Sequence, residues 1–234
     1  MTSKQPDLHP EQKRTAAEER TISVALVASL GVAVLALVFF NWLAHEVFEG
    51  DTRVFDDRIR MAIHAHSLPA LTLAMRAITH LGGPLTLIVF CAAAFFGFLI
   101  RGWRRGAAWI AVTMAGAVVL DVTLKMIYQR PRPEPFFGVA PQSYSFPSGH
   151  ALGSFCFYGT LAGLIAHRSG RRAVRAAAGV VATLLIAAIG FSRLYLGVHY
   201  PTDVIAGYAA AAIWVGALVS LDRFRRRPRH RRPS

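Results

Sequence analysis

The residues able to do chemistry in this chain gather in three short segments. The first runs from Lys125 through Arg130 and Arg132 to Pro133, the second is Pro147-Ser148-Gly149-His150, and the third runs from Ser192 and Arg193 through His199 to Asp203. Lys125, Arg132 and Arg193 would repel one another at a common point unless an anion with several oxygens lay among them, and phosphate is such an anion. Arginine offers a planar fork to two phosphate oxygens, whereas lysine brings a compact charge on a flexible stem. Pro147 halts the preceding chain, and Ser148 is expected to cap the helix that follows. The backbone N–H groups of Ser148, Gly149 and His150 would then point outward at a helix N-terminus, where free donors and the helix dipole favour anions.

Two histidines complete the set. Imidazole titrates near neutrality, as a nucleophile and a proton donor require. Asp203 follows His199 by four residues, and past the Pro201 break it can turn back to accept from one ring nitrogen. The other nitrogen is then free to attack phosphorus. His150 has no acid nearby in sequence and takes the part of proton donor to the leaving oxygen.

The elements that must position these residues are membrane helices. Of 234 residues, 54% are hydrophobic and 17% charged, with a net charge of +13 and a mean hydropathy of +0.40. Soluble domains carry about 25% charged residues, so this balance excludes disordered, collagen-like and disulfide-scaffold classes and leaves an integral membrane protein. Cys91 and Cys156 lie inside apolar runs and read as small hydrophobes.

The pattern predicts an all-α, six-helix integral membrane bundle. The first span, Thr21 to Ala44, carries no charge and exceeds the length of a signal-peptide core, so it reads as a retained signal anchor. Further spans are expected at Leu81 to Ile100, Gly106 to Met126, Gly149 to Ala166, Val174 to Phe191 and Asp203 to Leu221. Between the first and second, Phe55 to His80 mixes Arg58, Arg60 and Arg76 with Ile59, Met61, Ile63, Leu71 and Met75, which suits short amphipathic helices at the membrane interface. Residues 1–20 and 223–234 read as polar cytoplasmic tails flanking one domain over 21–222. With both termini in the cytoplasm, every inner segment carries Lys and Arg: Lys4 to Arg20, Arg101 to Arg105, Arg168 to Arg175 and Arg223 to Arg232. The arginine-rich end thus reports topology rather than nucleic-acid binding, and all three chemical segments fall on the extracytoplasmic side.

These segments resemble the signature of the type 2 phosphatidic acid phosphatase superfamily, K-x6-R-P, P-S-G-H and S-R-x5-H-x3-D. Every position matches: Lys125, Arg132 and Pro133; Pro147 to His150; Ser192, Arg193, His199 and Asp203. Soluble vanadate-dependent haloperoxidases resemble the same signature, and the spans argue for the membrane branch. The resemblance implies a metal-independent lipid phosphatase without a cofactor, with a phosphohistidine on His199 oriented by Asp203 and leaving-group protonation by His150. It also implies phosphate held by Lys125, Arg132, Ser148, Gly149 and Arg193. The implied partners are the bilayer and a lipid phosphate or diphosphate such as undecaprenyl diphosphate, phosphatidylglycerol phosphate or phosphatidic acid. A phosphotransferase with the same intermediate, and a lipid-phosphate binding or translocating bundle, are the rival readings.

Other polar residues have blander readings. Asp121 lies in the third span four residues before Lys125 on the same helix face; it either aims Lys125 and tunes its charge or lines water or packing. Arg130 stands outside the signature and reads as a headgroup contact. His64, His66 and His80 lack the spacing of a metal site and read as interfacial imidazoles. Trp42, Trp103, Trp109 and Trp214 read as interfacial anchors or packing.

Overall fold

The computed structural model describes residues 10–139 and 141–226, all helix and connecting segments. α1 covers Pro10–Glu49, α2 Arg53–Ala65, α3 Pro69–Leu81, α4 Pro84–Ile100 and α5 Arg104–Tyr128. α6 covers Gly149–Arg168 with one π-helical turn at Phe155–Gly159, α7 covers Arg172–Tyr195 and α8 covers Pro201–Arg225. Among the described residues, α1, α5, α6, α7 and α8 are long and apolar enough to cross a membrane. Helices of 24 or 25 residues such as α5, α7 and α8 reach about 36 Å at 1.5 Å per residue, more than the hydrocarbon core of about 30 Å.

The second expected span differs from its sequence outline. Leu81 ends α3, and α4 starts only at Pro84 and holds 17 residues; α3 and α4 meet at a bend of 48°. Gly82 and Gly83 interrupt the helix, and Pro84 at its first position has no N–H to donate backward. The bent pair supplies the sixth crossing if it spans as one unit. Of the expected tails, residues 10–20 continue α1 and residues 223–225 continue α8, while 1–9 and 227–234 lie outside the described residues.

α6 is the most buried of the long helices and packs against α5, α7 and α8, while α1 runs along α8 and α4 along α5. Small residues permit this closeness. A Cβ on Gly207 of α8 would sit 2.6 Å from the Ser148 carbonyl oxygen, and one on Gly116 of α5 would collide with the Trp214 ring. Trp214 donates its indole N–H to the Thr113 carbonyl across 3.0 Å, which gives it a packing role.

The interfacial helices form where expected, but α2 turns a polar stripe inward. Its buried residues are Asp56 and Arg60, one turn apart, while Val54, Phe55 and Met61 are exposed. Arg60 donates to the Glu134 carbonyl across 2.8 Å and lies over the Phe136 and Tyr200 rings. α2 therefore fastens the α5–α6 connection to the α7–α8 turn. These two segments cover one end of the bundle, where α5 and α7 finish and α6 and α8 begin.

Candidate active site

Each chemical segment straddles a helix end, and the alternating helix directions bring all three to the same end of the bundle. Lys125 lies in the last turn of α5, Gly149 and His150 open α6, Arg193 lies in the last turn of α7, and Asp203 is the third residue of α8. Arg132 and His199 come from the two covering segments. Lys125, Arg132, Gly149, His150, Arg193 and His199 all line one cavity of about 860 Å³. The remainder of its wall is mostly apolar, with Leu87, Ile88, Phe95 and Phe96 of α4 facing Met114 and Val118 of α5.

His199 is buried and held on both ring nitrogens. Its Nδ1 lies 3.2 Å from Asp203 Oδ2, and its Nε2 lies 2.9 Å from Arg132 Nη1. Arg132 is always a donor, so Nε2 accepts and Nδ1 carries the proton toward Asp203. Asp203 also takes the Tyr200 N–H at 2.9 Å, the backward reach of a capping carboxylate at the start of a helix. Burial lowers the His199 pKa to about 4; Asp203 opposes the shift, and Arg132 and Arg193 add to it. At neutral pH the ring is therefore uncharged, with a lone pair on Nε2.

The cations are anchored by neighbours. Arg132 donates through Nε to the Ser143 carbonyl at 2.6 Å and through Nη1 to the Val198 carbonyl at 2.9 Å. Burial lowers its pKa, against the pull of Asp203 and Asp121. Lys125 Nζ is 2.7 Å from each oxygen of Asp121, which also faces the cavity. Of the two readings open for Asp121, the one that pairs it with Lys125 matches this geometry. Arg193 donates to Thr79 Oγ1 of α3 at 2.7 Å, a partner that no local spacing marks.

Ser148 departs from expectation. Its side chain makes no helix-capping bond, and its amide donates to the Asp203 carbonyl across 2.9 Å rather than pointing outward. The reason is the close packing of α6 on the start of α8. Its buried hydroxyl has no hydrogen-bond partner among the described residues, so it retains donor capacity beside Gly149.

Arg130 requires a correction. A headgroup contact would leave its guanidinium in the interface; instead it is 11% exposed and forked between two fully buried carboxylates. Nη1 donates to Asp203 Oδ1 at 2.6 Å and Nη2 to Asp56 Oδ2 at 2.8 Å. Burial alone would lower its pKa, but the charges and hydrogen bonds of Asp203 and Asp56 carry it above the ordinary value. Asp56 escaped the sequence reading because it sits 74 residues before Arg130, on a helix recognisable only by its amphipathic pattern. His64, by contrast, stacks on Phe136 with ring centroids 4.1 Å apart.

Comparison with known proteins agrees with this architecture. The PAP2 superfamily model matches residues 106–227. The chain is 33% identical over 180 residues to phosphatidylglycerophosphatase B of Bacillus subtilis, covering 74% of this chain and 85% of that protein. It is 36% identical over 161 residues to the decaprenylphosphoryl-5-phosphoribose phosphatase of Mycolicibacterium smegmatis, covering 65% of this chain and 81% of that one. The crystal structure of a transmembrane PAP2 type phosphatidylglycerolphosphate phosphatase from Bacillus subtilis superposes with a TM-score of 0.74 at 28% identity, covering 86% of this chain and 98% of its own. Helices, signature residues and relatives thus converge on one assignment: the chain belongs to the PAP2 superfamily and is a membrane-embedded phosphatase.

Proposed function

We propose that this protein hydrolyses the terminal phosphate of a membrane lipid phosphate or diphosphate through a phosphohistidine on His199, without a metal ion. The observation that carries the reading is the His199 ring itself. One nitrogen is tied to Asp203, and the other meets Arg132 at the cationic head of an otherwise apolar cavity. Such a cavity suits an amphiphile, with the phosphoryl group among the cations and the lipid chain along α4 and α5.

In the first half-reaction, Nε2 of His199 forms a bond to phosphorus as the bond to the lipid oxygen breaks, and His150 gives that oxygen its proton. Asp203 keeps Nδ1–H oriented and faces the positive charge that grows on the ring. Lys125, Arg132, Arg193 and the donors of Ser148 and Gly149 hold the phosphoryl oxygens, whose charge stabilisation is most of the catalytic task in phosphoryl transfer. In the second half-reaction water attacks phosphorus, His150 takes its proton, and phosphate leaves with His199 neutral again.

The basic inner segments support a phosphatase domain over residues 21–222 with both termini cytoplasmic and the cavity mouth at the extracytoplasmic face of the cell membrane. The phosphatidylglycerophosphatase and decaprenylphosphoryl-phosphoribose phosphatase relatives support a lipid substrate. The test is phosphate release by detergent-purified protein over a panel of phosphatidylglycerol phosphate, phosphatidic acid and undecaprenyl diphosphate, with EDTA present. Release by the native protein and none by His199→Ala is expected. Loss of activity in EDTA would contradict the metal-free reaction, and release that depends on an added acceptor would indicate a phosphotransferase.

A further inference from the structure

The buried charges beside His199 extend well beyond the family signature. Asp56 on α2 is fully buried and accepts three hydrogen bonds: from the Thr202 amide at 3.0 Å, the Thr202 hydroxyl at 2.7 Å and Arg130 Nη2 at 2.8 Å. Arg130 joins it to Asp203, and the Tyr200 ring lies 4.0 Å from the guanidinium carbon. An alternating series results: Asp56, Arg130, Asp203, His199.

The charge count of this series is informative. Two carboxylates and one guanidinium leave one net negative charge while the ring is neutral, in a place with little water to screen it. When Nε2 bonds phosphorus with Nδ1 still protonated, the imidazole becomes cationic and the series sums to zero. The cluster is balanced after attack, not before it. On its other sides the ring faces Arg132, Arg193, Lys125 and His150, all cationic or neutral. The series is therefore the source of negative charge behind the ring, with Asp121 engaged separately by Lys125.

We infer that Asp56 and Arg130 are positioning residues for the nucleophile: together they fix the Asp203 carboxylate and set the charge behind His199 so that the phosphorylated, cationic ring is favoured. Arg130 holds the outer oxygen of Asp203, leaving Oδ2 directed at Nδ1. Asp56 keeps Arg130 from cancelling Asp203 outright and secures Thr202 at the start of α8. The amphipathic helix α2 thereby becomes part of the catalytic scaffold. This inference rests on the phosphohistidine reading above.

The two residues carry opposite charge, so their removal has opposite electrostatic signs. Without the Asp56 charge, Arg130 opposes protonation of His199 more strongly, and the acidic limb of kcat/KM moves to lower pH. Without the Arg130 charge, Asp203 and Asp56 favour the protonated ring, and the limb moves to higher pH. A role confined to packing would move neither limb.

The experiment compares full-length Asp56→Asn, Arg130→Gln, Arg130→Lys and His199→Ala in detergent, with short-chain phosphatidylglycerol phosphate as the probe. Expected are a kcat reduced at least tenfold in Asp56→Asn and Arg130→Gln with KM within twofold, and limbs displaced in opposite directions. Arg130→Lys keeps the charge but not the fork, so its limb stays in place while kcat falls about fivefold. Unmoved limbs, limbs displaced in the same direction, or an unaltered kcat in Arg130→Lys would each overturn the inference; the last holds even if the other two variants fail to fold. Activity in His199→Ala would instead overturn the phosphohistidine reading, a result separable from the others.

Discussion

Arg132 donates to Nε2 of His199 across 2.9 Å, on the ring nitrogen opposite the one that faces Asp203. The same guanidinium reaches the Ser143, Tyr144 and Val198 carbonyls, so its plane is set by the covering segments before any phosphate arrives. Because that N–H occupies the Nε2 lone pair, the proposed attack on phosphorus requires Arg132 Nη1 to turn from His199 to a phosphoryl oxygen, while its Nε and Nη2 contacts hold the plane.

Arg132→Lys retains the charge but cannot serve these partners together. A loss of about 2 kcal/mol, roughly thirtyfold in kcat/KM, is expected. Steady-state kinetics on the purified variant check it, and a rate within twofold of the native protein would show that the fork is dispensable.

Asp121 grips Lys125 through both oxygens inside the end of α5. Asp121→Asn releases the ammonium from one fixed direction, and KM is expected to rise roughly fivefold, about 1 kcal/mol for a partly exposed pair, with kcat little changed. Kinetics that match the native protein in both constants would reduce the pair to packing.

Gly149 touches the same pair. A Cβ there would lie 2.7 Å from Asp121 Oδ1 and 3.0 Å from Lys125 Nζ. Gly149→Ala is therefore expected to lower kcat/KM at least tenfold while costing about 1–3 kcal/mol of stability, the usual range for overpacking. Thermal unfolding and kinetics on the same sample separate the two effects; full activity would mean that Lys125 can move without consequence.

The three chemical segments and most of the spans were legible in the sequence because their logic is local. Lys125 in the last turn of α5 is followed seven residues on by Arg132, His199 and Asp203 are four residues apart, and long apolar runs mark their own helices. Asp56 and Arg130 were not legible, since nothing in their immediate surroundings foretells an ion pair between an interfacial helix and a loop. Arg193 and Thr79 pair across 114 residues for the same reason. The second span ends at Ile100 as expected but begins at Pro84, three residues after Leu81, because Gly82 and Gly83 interrupt the helix where the chain bends. Ser148 occupies the N-cap position as expected, yet packing against α8 claims its amide.

The pH dependence expected of the proposed mechanism follows from the burial of His199. His199 has its pKa lowered from 6.5 to about 4, chiefly by burial. The reactive neutral form therefore persists as pH falls from about 7 to about 5, and protonation removes the Nε2 lone pair only as pH passes about 4. After correction for ionisation of the substrate phosphate and of His150, the proposed proton donor, kcat/KM is expected to hold over the first interval and fall below it. An acidic limb centred near 6.5 would mean that the ring is far better solvated than this site allows.

The proposed mechanism turns on whether phosphorus becomes bonded to His199. Rapid acid-free quenching of native protein mixed with lipid labelled in its terminal phosphate, followed by peptide mapping, addresses this directly. The expected result is a base-stable, acid-labile phosphoryl group on the peptide holding His199, formed and lost at rates that match turnover and lacking in His199→Ala. Label on another residue, or full turnover by His199→Ala, would contradict a phosphohistidine at this position.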